Sequence, residues 1–284
     1  MSTEGLAGPG DTGLHGFPAR SHELVRLSAT EIAALDKHNA VVVQPIGSIE
    51  QHGPHLPVVT DAYIAETVVR AALERTVAED APVWMLPTLC YGRSGEHAGF
   101  GATVSLSTET LLSVLRDVGR SVAAMGFRRL VFVNGHGGNV ALLDVVARDI
   151  RSETGLMVFR LMVSQLGLPD GLTCPDAEFA AHADFLETSV MLALDASMVG
   201  DERHSGGRSA ARLFGPPSEG GPGIKIPTAW LTRDLSLNGV IGDPSTASAE
   251  VGAEVVDHWA QRLAQCYREI AQFDFGDRSG AEKE

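Results

Sequence analysis

Apolar positions along the chain recur with two periods, and the two alternate. Ala40-Val41-Val42-Val43-Gln44-Pro45-Ile46 is short, β-branched and almost continuously apolar, the pattern of a buried strand. Val83–Pro87 reads as a second strand, Thr103–Leu106 as a short extended piece, Arg129–Val133 as the clearest strand and Leu156–Val163 as a further one. Between them the spacing turns helical. A short helix is expected at Glu31–Leu35, capped by Ser28 or Thr30. Ile64, Ala65, Val68, Val69, Ala72 and Leu73 predict a second helix, with Thr60 as its cap. Leu111, Leu112, Leu115, Val118, Val122 and Met125 predict a third, capped by Ser107 and stopped by Gly126. Leu142, Leu143, Val146 and Ile150 mark a fourth, and the tail of the segment beginning at His182 a fifth. Ser245 or Thr246 is expected to open the last helix, which runs to about Phe273. Ile224–Asn238 is expected to pair as strand and turn.

Strands that alternate with helices imply the α/β class, with a mostly parallel sheet covered on both faces. Neither an internal repeat nor a linker dividing two cores is evident, so residues 23–274 read as one domain. Residues 1–22, rich in Gly, Ser, Thr and Pro, and residues 275–284 read as tails, and 200–223 as a long surface excursion. Three polar turns follow apolar strands: Gly47–Asp61, Tyr91–His97 and Asn134–Asn139. In a parallel sheet such strand ends share one edge, where ligand chemistry usually sits.

Charge narrows the partners. A formal net charge of −14 over 284 residues argues against nucleic acid and anionic membrane surfaces, which need a basic face. No apolar run is long enough to span a bilayer. The first residues lack the basic start and apolar core of a secretory signal. The three cysteines, Cys90, Cys174 and Cys266, lie far apart without metal-binding spacing and fit reduced thiols. The expected location is the cytoplasm and the expected partner a small-molecule substrate.

The first turn, GSIEQHGPHLPVVTD, holds Glu50, His52, His55 and Asp61 within twelve residues. Glu50 and His52 are two apart, so on an extended backbone they point to one side. With Asp61 returning at a helix start, they would bind a borderline divalent metal through mixed N and O ligands. His136 sits in NGHGGN, whose glycines leave its ring accessible; the same turn could instead cradle an anion at a helix start, though it lacks the phosphate-loop patterns. His182 and Glu187 are five apart, unlike the HExxH spacing. They could point into one cleft, and Glu187 could equally serve only the helix dipole.

GSIEQHGPHLPVVTD, YGRSGEH, NGHGGN and HADFLETS, in this order and joined by the late GVIGDPSTAS, resemble the creatininase family over roughly residues 25–270. The resemblance implies a three-layer α/β/α sandwich and a dinuclear site with two divalent ions per chain. Zinc comes first, with manganese or iron as alternatives. It implies hydrolysis of a C–N bond in a small or cyclic amide by a metal-activated water. Glu50, His52, Asp61 and His136 would be ligands, with Asp61 bridging. Creatinine hydrolases carry a carboxylate two residues after the NGH histidine, where this chain has Gly138; Glu187 would replace it. His182 would pass the proton to the leaving nitrogen. Glu96 and His97 would position substrate or support the ligands, with Asn134 and Gly137 beside them, and His55 would orient the loop. HADF stands where the family often has HAGE, and Phe100-Gly101-Ala102-Thr103 where it often has FPGT, departures expected to line the substrate pocket. Residues 137–181 lack the tryptophans that creatinine hydrolases use. Other substrates in the family are formamides of flavin-like cofactor synthesis, a modified peptide cofactor precursor and a keto-inositol. The family often forms hexamers, so a homo-oligomer is expected. A non-catalytic protein binding metal or a small ligand is the alternative of another class.

Overall fold

The computed structural model describes residues 22–77, 82–177, 180–207 and 229–276. The expected tails at 1–21 and 277–284, most of the surface excursion (208–223) and residues 224–228 lie outside the described residues. Four parallel strands form one sheet in the order β2-β1-β3-β4: β1 (Val41–Ile46), β2 (Val83–Met85), β3 (Arg129–Asn134) and β4 (Met157–Met162). The helices are α1 (Ala29–Ala34), α2 (Thr60–Val77), α3 (Thr108–Ala124), α4 (Val140–Thr154), α5 (Phe185–Asp195), α6 (Thr232–Leu235) and α7 (Ala249–Gln272).

The strand period of two divides the core. Val41, Val43, Val131 and Val133 face the layer of α2, α5 and α7. Val42, Ile46, Leu130 and Phe132 face α3 and α4. Both faces are apolar, so the strands read as unbroken hydrophobic runs. The result is the three-layer α/β/α arrangement.

The caps follow side-chain chemistry, with two departures from expectation, at Thr60 and at the last helix. Ser28, not Thr30, caps α1 and forms a reciprocal box with Glu31. Ser107 caps α3 by accepting the Thr110 N–H. Thr60 is the first residue of α2, its hydroxyl donating to the Pro57 carbonyl at 2.7 Å. Pro244–Thr246 is a 3-10 turn, so α7 is capped by Ser248 instead of Ser245 or Thr246. Thr103–Leu106, expected as a short extended piece, makes a single antiparallel bridge, Val104 to Ile49. Thr232–Leu235 is helical where strand pairing was expected. Among the described residues no helix is long and apolar enough to cross a membrane.

From β1 the chain crosses to β2 on one side, and later from β3 to β4 on the other. The order therefore reverses between adjacent β1 and β3, whose last residues, Ile46 and Asn134, are in register. A crevice beyond the carboxyl ends of such strands is the preferred ligand position of open α/β sheets.

The α5–α7 contact is the tightest in this layer. A Cβ at Gly252 would stand 1.8 Å from the Ser189 carbonyl oxygen. Gly252→Ala is expected to lower the urea midpoint by the equivalent of about 3 kcal/mol, because overpacking here must move backbone.

Candidate metal centre

One buried amide fastens the three strand-end turns together. Asn139 Nδ2 donates to the Gly47 carbonyl at 3.0 Å and to Asn134 Oδ1 at 3.2 Å, while its Oδ1 accepts the Arg93 N–H at 2.9 Å. Asn134 in turn accepts the His136 N–H at 3.1 Å and donates to the His136 carbonyl at 2.7 Å. These bonds hold His136 opposite the first turn.

Around that frame the carboxylates and imidazoles interleave. His136 Nδ1 lies 3.1 Å from Glu50 Oε2 and 3.0 Å from Asp61 Oδ2. His52 Nε2 lies 3.1 Å from Asp61 Oδ1 and 3.9 Å from Glu187 Oε2. The other nitrogen of each ring faces a backbone acceptor: His52 Nδ1 the Glu50 carbonyl at 3.0 Å, His136 Nε2 the Arg93 carbonyl at 3.0 Å. With its single proton on that side, each neutral ring aims a lone pair at carboxylate oxygens. A proton or a cation must stand between them. Ser48 Oγ, 2.5 Å from Asp61 Oδ2 and 2.8 Å from Glu50 Oε2, has one proton for two carboxylates.

The donor set therefore fits divalent metal. Glu50, Asp61 and His136 bring ligand atoms within 4.8 Å of one another, as do His52, Asp61 and Glu187, and Glu50, His52 and His182. Asp61 joins the first two groups through different oxygens. The ion-pair partners of Glu50, Asp61 and Glu187 among the described residues are histidines alone. Burial opposes a charge on His52, but Asp61, Glu187 and Glu50 outweigh it and raise its pKa to about 10. His136 is likewise raised well above the ordinary imidazole value, burial being outweighed by Glu50 and Asp61. Burial, with Asp184 nearby, pushes Glu187 up to about 8.

The remaining candidates divide into two groups. His182 Nε2 donates to the Gln51 carbonyl at 2.6 Å, and its Nδ1 lies 3.6 Å from Glu50 Oε1. Burial and the neighbouring His52 and His97 hold its pKa well below the ordinary value, so the ring is neutral. His97 Nε2 donates to Glu50 Oε1 at 3.1 Å. Glu96 Oε1 stands 3.3 Å from His136 Nε2. His55 points elsewhere, to Thr188 Oγ1 at 2.8 Å, consistent with a loop-orienting part. Asn134 is buried behind His136. Gly137 lines the cleft, with nothing within 4 Å of the place its Cβ would occupy. Glu187 belongs to the His52 side; the space beside Gly138 is filled by Glu96. The Glu187 carboxylate also accepts the Ala183 N–H at 2.7 Å, so it serves the start of α5 as well.

Sequence reasoning missed Ser48, Gln51 and Asn139. Gln51 Nε2 donates to His97 Nδ1 at 2.9 Å and to the Gly239 carbonyl at 3.2 Å. It lies inside the motif between Glu50 and His52, and that position was its only signal. The late turn also gains a part: Ile241 pairs with His182 in an antiparallel bridge. Ala183, at φ 50°, turns the backbone between His182 and α5. A cleft of about 870 Å³ opens over the cluster, reaching from Glu50, Asp61 and His136 past His182 to Trp230.

Fold and site together define an α/β protein with a carboxylate–histidine metal centre at the switch point of a parallel sheet. The chain belongs to the creatininase family, whose model, described as creatinine amidohydrolase, matches residues 25–267. It is a metal-dependent hydrolase of that family. It is 37% identical over 255 residues to the mycofactocin precursor peptide peptidase of Mycobacterium tuberculosis, covering 87% of this chain and 91% of the relative. It is 29% identical over 252 residues to the creatinine amidohydrolase of Pseudomonas putida, covering 81% and 90%. A creatininase mutant of zinc–zinc type superposes with a TM-score of 0.65 at 26% identity, over 90% of this chain and 100% of that one.

Metal ligands must be deprotonated, and in the metal-free centre His52, His136 and Glu187 all hold their protons more tightly than usual, His52 with a pKa raised to about 10 and Glu187 to about 8. Loading with zinc is expected to release between about one and two protons per ion from these three groups. Calorimetric heats should then vary with the buffer's ionisation enthalpy. Because the raised values lie above neutrality, metal affinity should rise with pH across the neutral range and fall on acidification.

Proposed function

We propose that the chain is a two-metal amide hydrolase whose substrate is a peptide, cut at a C–N bond beside the cluster. The observation that carries this reading is the position of the lone-pair nitrogens and carboxylates at the base of a cleft of about 870 Å³. That volume lies toward the upper end of the roughly 300–1,000 Å³ of ordinary ligand sites. The higher identity to the peptidase, 37% against 29% for the creatinine hydrolase, supports the same choice. So does the absence of tryptophan between residues 137 and 181.

Glu50, Asp61 and His136 would hold one ion, and His52, Asp61 and Glu187 the other, with Asp61 common to both. Such ions supply Lewis acidity and a water whose pKa is brought toward neutrality. Zinc suits the mixed N/O donors, as do manganese and iron. His182 presents Nδ1 to the cleft while its Nε2 proton stays on the Gln51 carbonyl. Being neutral, it accepts the proton of the attacking water at Nδ1. It returns that proton to the leaving nitrogen as the C–N bond breaks, giving a carboxylate and an amine. His97, bonded to Glu50, keeps that carboxylate turned toward His136.

Asp61→Ala is expected to lose both bound metal and turnover; full turnover in this variant would end the two-metal reading. His182→Ala should keep its metal and lose about 10²- to 10⁴-fold in kcat, the range of general acid–base contributions. The substrate is tested by mass spectrometry on the metal-loaded protein, with a chelator control. The panel holds a mycofactocin precursor peptide, creatinine, a formylaminopyrimidine and a keto-inositol. Chelator-sensitive peptide cleavage is expected. Turnover of creatinine with the peptide intact would reverse the substrate assignment. Two bound metals without conversion of any compound would leave the centre standing and place the substrate outside this panel, whereas neither metal nor conversion would favour a non-catalytic protein.

A further inference from the structure

The space beside Gly138 is occupied by a neighbouring turn. A Cβ at Gly138 would stand 2.1 Å from Glu96 Oε1 and 2.4 Å from both the Arg93 carbonyl oxygen and His136 Nε2. Only a residue without a side chain lets the Arg93–Glu96 turn close on the back of the His136 ring. There the Arg93 carbonyl lies 3.0 Å and Glu96 Oε1 3.3 Å from Nε2. The second carboxylate oxygen of Glu96 faces Arg93 Nη1 at 3.7 Å, which fixes the direction of the first. On the opposite edge of the same ring, Nδ1 faces Glu50 and Asp61.

We propose that Glu96 is a positioning residue for His136. Its carboxylate, admitted by Gly138, stands with the Arg93 carbonyl around the Nε2 proton and adds a negative charge there, so that Nδ1 is presented as a basic ligand to the ion shared with Glu50 and Asp61. The negative charge that a side chain at residue 138 could have placed directly in the centre thus acts through the imidazole ring. A carboxylate behind a ligating histidine fixes its tautomer and raises its basicity, and loss of such a partner costs about 10- to 100-fold in metal affinity. The proposal rests on the two-ion reading above and deepens it.

The test is zinc binding by chelator competition on wild type, Glu96→Ala and Glu96→Gln, with metal-free melting temperatures as a fold control. The wild type is expected to hold two ions. Both variants are expected to weaken one ion about 10- to 100-fold and leave the other unchanged. Gly138→Ala, which displaces Glu96 and the Arg93 carbonyl, should weaken the same ion. Cobalt loading should show the change as an altered visible spectrum of a single site. Two ions at wild-type affinity in both Glu96 variants would overturn the proposal and leave the two-metal reading intact. Loss in Glu96→Ala with wild-type binding in Glu96→Gln would also overturn it, since filling space would then suffice. A wild type that binds no ion would overturn both.

Discussion

The confrontation of buried carboxylates with imidazole lone pairs is the constraint on which the rest of the structure depends. Glu50 and Asp61 are nearly inaccessible to water, and their ion-pair partners among the described residues are histidines. Charge removed from water at such depth is costly unless it is paired. In the metal-free protein, protons on His52 and His136 meet that demand. A divalent ion meets it better, since each ring already has a backbone acceptor for its remaining N–H. The same contacts that keep the empty site from repelling itself therefore leave it ready to exchange protons for metal.

Such a cluster survives only if its walls cannot relax apart. The candidate ligands come from the ends of β1 and β3 and from the first turns of α2 and α5. Asn139 ties the turns after β1, β2 and β3 into one unit. Gln51 does the same for the opposite wall, its side-chain amide joining His97 and Gly239 while its backbone carbonyl accepts from His182. Neither amide touches the space between the carboxylates, yet each bridges segments far apart in sequence. The sheet supplies the remaining rigidity, because its strands are apolar on both faces and packed between two helical layers.

These facts explain what could be read from the sequence. The two central strands were legible because burial on both faces leaves almost no polar residue in Val41–Ile46 or Arg129–Val133. The metal-type residues of the first turn were legible because an acid, an imidazole and a second acid in one Gly/Pro-rich turn have few other uses. The cap of α7 was not: Ser245, Thr246 and Ser248 are chemically equivalent candidates, and only the 3-10 turn at Pro244–Thr246 selects Ser248. The supporting amides were hidden for another reason. Glutamine and asparagine in polar turns are ordinary, and their value lies in partners that tertiary structure brings near. Gly138 was legible only in part: in sequence it stands where creatinine hydrolases carry a carboxylate, and only in space does it leave the gap that Glu96 fills beside His136.

The centre and the cleft above it draw on different parts of the chain. The candidate ligands sit at strand ends and in the first turns of α2 and α5, where backbone position is set by the sheet and its packing. The far wall is formed by segments of weak pattern, including Ala180–Ala181 and Ala229–Trp230. Substitution there changes shape and polarity without moving a carboxylate or an imidazole. One metal geometry can therefore serve substrates of different size. Relatives named for a peptide, for creatinine and for a formylaminopyrimidine match this chain while differing in what they are named to act on. Chemistry in this architecture is held by the sheet, and selectivity by the loops that lean over it.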